Sequence, residues 1–193
     1  MFDQIAAVRE AWNVLRHPFY ERWSRGELSR EQLARYAGQY RHAVVALADV
    51  AERAGAEHAA EEREHVALWD GFVRAVDGRT DAAPLSQTQA CVDTWSGAGR
   101  DDLAAQAALY AIEASQPAIS ETKRIGLVRH YGWAPGSEAT RYFDIHAELD
   151  HEHAAEGAAQ LAARATRADT PRLVAAAEAA LRANWMLLDG VSS

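Results

Sequence analysis

The chain has 193 residues, of which 49% are hydrophobic and 25% charged, and its formal net charge is −8 at pH 7. This negative charge disfavours nucleic acids and anionic membrane surfaces as partners. Cys91 is the only cysteine, which excludes an intrachain disulfide and a metal site built from thiolates. Because no apolar run approaches about 18 residues, we expect no membrane span and predict one cytoplasmic domain over residues 1–193.

Composition and periodicity predict an all-α protein. Ala, Leu, Glu and Arg are abundant, β-branched runs are few, and only five prolines occur. A bend is expected at His17–Pro18, and Ser29 with Gln32 forms a capping-box pattern before the second helix. Seven helices are expected, divided by breaks that contain Gly or Pro, one of them at Gly55. The first two cover roughly residues 2–24 and residue 30 to the mid-50s, and the third carries Glu62 and His65. The other four cover about 85–96, the segment from 101, the segment after 137, and 170–188.

The segment 142–154, YFDIHAELDHEHA, carries three potential metal ligands on one helix face. His146, Asp150 and His153 follow one another at spacings of four and three residues. Since an α-helix turns by about 100° per residue, His153 lies about 20° and Asp150 about 40° from His146. Imidazole and carboxylate ligands in this mixture suit iron, manganese or zinc better than calcium or magnesium. The pattern predicts a transition-metal site; the alternative is a polar helix face in which histidine is frequent by chance.

Further ligands are predicted upstream, at Glu62, His65 and Glu113. Glu62 and His65 have the Glu-x-x-His spacing that helix bundles use for carboxylate-bridged metal pairs. Glu113 interrupts an apolar run, where a buried acid needs a cation or a proton, and Pro117 should kink its helix. With the stripe at 146–153, these residues make six ligands, enough for two metal ions with open positions. The alternatives are a surface pair for Glu62 and His65 and an arginine partner for Glu113.

The segment at residues 17–44, HPFYERWSRGELSREQLARYAGQYRHAV, resembles the opening of the heme-oxygenase-like helical proteins, and the likeness extends to about residue 154. These proteins include the pyrroloquinoline quinone synthase, the TenA-type thiaminases and the heme-oxygenase-like dimetal oxidases. The oxidases bind metal through a Glu/His pair, a lone Glu on a later helix and a His-x3-Asp-x2-His set, a spacing that His146 to His153 matches. The resemblance implies a heme-oxygenase-like bundle, a homodimer, two transition-metal ions (Fe/Fe or Fe/Mn), and dioxygen and an external reductant as co-substrates.

Within the dimetal oxidases, the chain most resembles the group formed by the chlamydial protein associating with death domains and its bacterial relatives, which make para-aminobenzoate. The resemblance implies that the protein consumes its own tyrosine as the ring source and a lysine as the amino donor. Tyr20 matches the sacrificed tyrosine, and Tyr36 and Tyr142 match further tyrosines near the metals. Lys123, the only lysine of the chain, matches the amino donor. The alternatives are that the tyrosines are ordinary core aromatics and that Lys123 is a surface residue.

The first metal-binding pair departs from the chlamydial pattern. There, seven residues separate the first Glu from its His, and seven residues before His65 stands His58. Either Glu62 or Glu61 supplies the ligand from one turn away, or His58 replaces it. We favour Glu62, which lies about 60° from His65 on the helix.

Three functions are open on the sequence. The first is a non-heme dimetal oxidase that forms para-aminobenzoate for folate synthesis from its own Tyr20, with Lys123 as amino donor. The second is a dimetal oxidase that acts on a free small molecule, such as an amino acid or a fatty acid. The third is a non-catalytic helical binding protein. Metal content separates the third from the others, because an oxidase of this kind needs about two transition-metal ions per chain.

Overall fold

Nine α-helices and a short 3-10 turn make up the chain over residues 1–54, 59–98 and 101–193, the parts that this computed structural model describes. The turn, Val14–Arg16, lies between the first two helices. No strand occurs in these ranges, which confirms the predicted all-α class. The helices are α1 (Phe2–Ala11), α2 (Pro18–Arg25), α3 (Arg30–Ala54), α4 (Ala59–Ala75), α5 (Ser86–Ala98), α6 (Asp102–Glu113), α7 (Gln116–Tyr131), α8 (Arg141–Arg164) and α9 (Thr170–Ser192).

The described ranges hold nine helices rather than about seven because two predicted helices are each divided. In the first, the Asn13 side chain accepts a hydrogen bond from the Leu15 amide (3.1 Å), and His17 Nδ1 accepts one from the Phe19 amide (3.0 Å). Each of these side chains caps a new helical segment. Pro18 also disfavours the helical conformation in His17, which is extended (φ −70°, ψ 138°). The bend predicted at His17–Pro18 is therefore a complete break.

The second division follows Glu113, the last residue of α6. The next helix, α7, begins at Gln116 with Pro117 in its first turn, where the missing N–H of proline costs no helical hydrogen bond. The kink predicted at Pro117 is thus a break at Ala114–Ser115, and Glu113 stands at the end of a helix instead of within one.

Two other predictions concern helix ends. The capping box is present: the Ser29 amide donates to Gln32 Oε1 (3.0 Å), and the Gln32 amide donates to Ser29 Oγ (3.2 Å). Helix α9 continues past its predicted end at residue 188 to Ser192, since Val191 still packs in the core. The predicted division at Gly55 lies outside the described residues.

The packing of the long helices places α4 and α8 against each other. Helix α3 contacts α4, α5, α6 and α9, while α8 contacts α4, α6 and α7. Aromatic side chains fill much of the core, and Trp23, Trp69 and Trp95 are fully buried. Within the described ranges, no helix is both long enough and apolar enough to cross a membrane. The two helices that carry the predicted metal ligands His65 and His146 therefore face each other inside the bundle.

Helices α2 and α7 approach closely at Gly126. A Cβ atom at this position would lie 2.5 Å from the Trp23 indole, so the contact requires glycine. The indole Nε1 of Trp23 also donates a hydrogen bond to the Lys123 carbonyl (3.2 Å). Since α2 carries Tyr20 and α7 carries Lys123, this contact holds together the two helices that bear the predicted reactive residues.

Candidate metal centre

The polar stripe of α8 is buried where the predicted ligands lie and exposed elsewhere. His146, Asp150 and His153 are 2%, 1% and 6% exposed, whereas Glu148 faces solvent. His153 Nδ1 lies 3.3 Å from Asp150 Oδ1. The ring of His146 is 4.4 Å from the ring of His65 on α4, measured between centroids. The helical spacing thus presents a buried polar face to α4.

Glu62 and His65 on α4 complete this cluster. Both are buried, and Glu62 Oε1 lies 3.3 Å from His65 Nδ1 and 3.9 Å from His153 Nδ1. Among the described residues, two groups of donor atoms converge within 4.8 Å: Glu62 with His65 and His146, and Glu62 with Asp150 and His153. Because Glu62 belongs to both groups, its carboxylate is within reach of both sets of donors.

His146 is held in a form that can bind a metal. Its Nδ1 donates a hydrogen bond to the Tyr142 carbonyl (2.7 Å), which leaves the lone pair of the neutral imidazole on Nε2. Burial lowers the pKa of His146, an effect that the carboxylates of Asp150 and Glu62 oppose. The imidazole is therefore neutral at pH 7, which is the protonation state that a metal ligand needs.

The cluster has the chemistry of a metal site. His146 Nε2 and Asp150 Oδ2 are buried and have no hydrogen-bond partner within the residues that the structure describes. A buried polar atom without a partner costs about 1–3 kcal/mol, so such atoms are rare in folded proteins. A cation bound to these atoms would remove that cost, and a mixture of imidazole and carboxylate donors suits iron or manganese.

Glu113 belongs to neither group of converging donors, but it lies beside them. It is 2% exposed, and its Oε2 is 3.9 Å from the position that a Cβ would take at Gly157. Gly157 follows His153 by one turn on the same face of α8, so the Glu113 carboxylate approaches the end of the cluster. Its role as a ligand stays a prediction. Of the alternatives to Glu62, Glu61 is mostly exposed with its Oε2 3.8 Å from His153 Nε2, and His58 lies outside the described residues.

The only lysine of the chain is buried among aromatic rings rather than exposed. Lys123 is 1% exposed, and burial lowers its pKa from 10.5 to about 7. No carboxylate forms an ion pair with its ammonium in the part of the chain that the structure describes. A large share of the amine is therefore neutral and nucleophilic at pH 7. Its Nζ lies 4.9–5.6 Å from the centroids of five rings, which we call the aromatic chamber: Tyr20, Tyr36, Tyr40, Trp69 and Phe143.

Tyr20 and Tyr36 are joined inside this chamber by a hydrogen bond between their hydroxyl groups (2.8 Å). Their ring centroids are 6.2 Å apart, and both side chains are fully buried. Burial raises the pKa of both phenols well above 10, so both are protonated at neutral pH. The Tyr20 ring is 5.4 Å from Lys123 Nζ, which brings the predicted ring source next to the predicted amino donor.

Tyr142 lies between the candidate metal ligands and the aromatic chamber. Its ring stacks on the His146 imidazole with centroids 3.8 Å apart and an interplanar angle of 19°. On the other side it meets Trp69 edge-on at 4.8 Å, and Trp69 is 6.0 Å from Tyr36. Burial and nearby carboxylates raise the pKa of Tyr142. The metal-ligand cluster and the aromatic chamber are thus adjoining parts of one buried region.

Sequence reasoning missed three members of the chamber: Tyr40, Trp69 and Phe143. The Tyr40 ring is the nearest of the five to Lys123 Nζ, at 4.9 Å. Helical spacing was the available signal, since Tyr40 stands one turn after Tyr36 and Trp69 one turn after His65. Spacing alone does not distinguish such residues from ordinary core aromatics.

Comparisons with known proteins support a metal cofactor for this chain. Residues 33–185 match the family described as iron-containing redox enzymes. The 4-aminobenzoate synthase of Nitrosomonas europaea is 30% identical over 98% of this chain and 89% of its own. That of Chlamydia muridarum is 30% identical over 97% of this chain and 88% of its own. One solved structure that aligns with this chain is a domain of unknown function with a heme oxygenase-like fold from Shewanella denitrificans. The alignment has a TM-score of 0.80 and 18% sequence identity, and it covers 97% of this chain and 89% of that one. This last similarity confirms the predicted fold.

Proposed function

This chain belongs to the family of iron-containing redox enzymes, and we propose that it is a dimetal oxidase that forms 4-aminobenzoate (para-aminobenzoate) from its own Tyr20 and Lys123. The observation that carries the proposal is the position of Lys123 Nζ, 5.4 Å from the centroid of the Tyr20 ring in a buried chamber. The two relatives described above, both 4-aminobenzoate synthases, support the same product.

The proposal assigns two metal ions, Fe/Fe or Fe/Mn, to the buried cluster between α4, α6 and α8. When bound, the metal pair would take electrons from an external reductant to activate dioxygen and so supply the oxidising power of the reaction. The unpartnered atoms of His146 and Asp150 and the shared position of Glu62 support this assignment. The six residues proposed to hold the ions are Glu62, His65, Glu113, His146, Asp150 and His153.

The side chains of the chamber would orient the reacting groups and control their protons. Tyr36 holds the Tyr20 phenol through the hydrogen bond between the hydroxyls, which fixes the position of the ring. The lowered pKa of Lys123 leaves its lone pair available for a C–N bond to the ring carbon that bears the Tyr20 hydroxyl, whose oxygen would leave as water. Release of 4-aminobenzoate would also break the Cε–N bond of Lys123 and the Cα–Cβ bond of Tyr20, and dioxygen would be the oxidant that converts Cβ into the carboxyl group. The aromatic rings around the amine exclude bulk water from the reacting groups. Outside the chamber, the backbone carbonyl of Tyr142 orients the His146 imidazole by accepting its Nδ1–H.

The stoichiometry of the product tests the self-sacrificing reaction. The purified chain would be incubated with iron, manganese, a reductant and oxygen. If Tyr20 and Lys123 are consumed, 4-aminobenzoate should plateau at or below one equivalent per chain, however much reductant is added. Protein labelled with ring-13C tyrosine should yield labelled product with no tyrosine in the buffer.

Matched variants identify the residues that are consumed. Tyr20→Phe and Lys123→Arg should each abolish the product while the metal content stays unchanged, because neither residue is a proposed ligand. Tyr110→Phe alters a half-buried tyrosine on α6 and should leave the yield unchanged. Multiple turnovers on an added amino acid or fatty acid, with Lys123→Arg still active, would instead favour an oxidase that acts on a free small molecule.

The metal assignment has its own test. His146→Ala and Asp150→Ala should each remove most of the bound metal, measured by elemental analysis, with the helical content retained in circular dichroism. Glu148→Ala, an exposed acid on the same helix, serves as the control. Normal metal content in both ligand variants would contradict the proposed site.

A further inference from the structure

Three buried oxygen atoms on α7 and α9 have no hydrogen-bond partner within the described ranges of the chain. They are Gln116 Oε1, Ser120 Oγ and Asn184 Oδ1, on side chains that are 4%, 1% and 5% exposed. Polar atoms at such depth are normally hydrogen-bonded, to ordered water if not to protein. Their presence therefore indicates a site for a small hydrogen-bond donor, separate from the metal-ligand cluster.

Two of these polar groups follow one face of α7 towards Lys123 and the aromatic chamber. Gln116, Ser120 and Lys123 are spaced by four and three residues, so they share one face of α7. Burial raises the pKa of Tyr40, and the side-chain amides of Asn184 and Gln116 oppose that rise, so both amides lie near the Tyr40 hydroxyl. The Tyr40 ring is in turn 4.9 Å from Lys123 Nζ.

The same two amides line a narrow cavity that reaches the surface. Its inner wall includes Gln116 and Asn184, and its rim is formed by the half-buried residues Trp12, Asn13 and Ser115. The cavity has a volume of about 10 Å³, which is about the room that one water molecule needs. Outside the rim lies a wider surface cleft of about 240 Å³ that shares Asn13 and Ser115.

The surroundings of Lys123 create a need for such a route. The faces of the five aromatic rings offer the amine no strong proton acceptor, and no carboxylate pairs with it among the described residues. An amine that forms a new bond must nevertheless release protons, and a buried one can do so only through polar groups or water.

We propose that the cavity lined by Gln116 and Asn184, here called the amide pocket, binds water and is the route by which the Lys123 amine exchanges protons with solvent. The water would donate to Gln116 Oε1 and Asn184 Oδ1, and Ser120 and Tyr40 would extend the path to the amine. Gln116, Asn184 and Ser120 are thus positioning residues. The role of this exchange in catalysis rests on the proposed function, in which Lys123 gives up its nitrogen.

The single lysine makes access to this amine directly measurable. Labelling with 15Nζ-lysine gives the chain a single lysine amine signal in NMR, so the exchange of its protons with solvent is measured at Lys123 alone. The ratio of this exchange rate to that of the slowest backbone amides, which exchange by global unfolding, is measured on the intact, folded chain and reports proton exchange through the pocket. Gln116→Met and Asn184→Leu remove the amide oxygens and narrow the cavity. Each should lower the ratio about ten-fold, because losing one hydrogen bond costs about 1.4 kcal/mol, which corresponds to a factor of about ten.

Two further variants keep the test decisive. Gln106→Met changes an equally buried glutamine on α6 that does not line the pocket, and it should leave the ratio unchanged. Ser115→Phe blocks the half-buried rim without altering the interior, and it should lower the ratio even if an interior variant fails to fold. An unchanged ratio in the folded pocket variants, or a ratio near one in the folded wild type, would overturn the proposal. The measurement requires no metal, reductant or product, so its failure is distinct from failure of the proposed reaction.

Discussion

Replacing Lys123 by methionine is expected to stabilise the protein at neutral pH and to remove a rise of stability with pH. The wild-type amine has a pKa of about 7 in its buried position, against an ordinary value of 10.5. Between these pH values the unfolded chain binds more protons at this group than the folded chain, so the free energy of unfolding rises with pH. The difference between the two pKa values is worth about 5 kcal/mol, of which about 2 kcal/mol falls between pH 7 and pH 9.

Methionine is a suitable replacement because it is unbranched and flexible and carries no charge, so it can occupy the same space between the rings. The Cys91 thiol, whose pKa burial raises to about 12, and the buried tyrosines lower stability towards alkaline pH. These groups are present in both proteins, so the difference between wild type and variant isolates Lys123.

Urea unfolding of both proteins at pH 6, 7, 8 and 9 provides the assay, with the free energy taken from the midpoint and slope of each transition. The stability difference should be largest at pH 6–7 and should shrink by about 2 kcal/mol by pH 9. Arg124→Met, at the neighbouring and more exposed position, is the control and should run parallel to the wild type, since arginine stays charged throughout. If the free energies of unfolding of Lys123→Met and wild type changed in parallel with pH, the Lys123 amine would not be buried without a charged partner.

Two other predictions test the packing and the metal ligands. Glu62→Gln should weaken metal binding about ten-fold or more in a metal titration, because Glu62 belongs to both donor groups. Glu61→Gln should leave the affinity nearly unchanged in the same titration. A larger loss of affinity for Glu61→Gln would reverse this assignment. Gly126→Ala should lower the free energy of unfolding by about 1–3 kcal/mol, since its methyl group would lie 2.5 Å from the Trp23 indole. Gly97→Ala has open space around the new methyl group and should leave the melting temperature unchanged or slightly raised. Equal melting temperatures for the two variants would contradict the close approach at Gly126.

Helical periodicity alone was enough to predict that His146, Asp150 and His153 share one face of α8. The spacing of His146, Asp150 and His153 places them on one face in any regular helix, because the rise and rotation per residue are local properties of the backbone. The all-α class followed from composition for a similar reason, since helix propensity acts residue by residue. The Ser29–Gln32 capping box was also predicted correctly, because its two hydrogen bonds join residues only three apart.

Contacts between distant parts of the chain were decided only by the tertiary structure. Sequence spacing could not show that Glu62 lies between both groups of donors, because that depends on how α4 packs against α8. Nor could it show that the Lys123 amine is buried against the Tyr20 ring, because the partners are more than a hundred positions apart and burial is a property of the assembled core. The amide pocket is lined by Gln116 of α7 and Asn184 of α9 together, so no local pattern in either helix could reveal it.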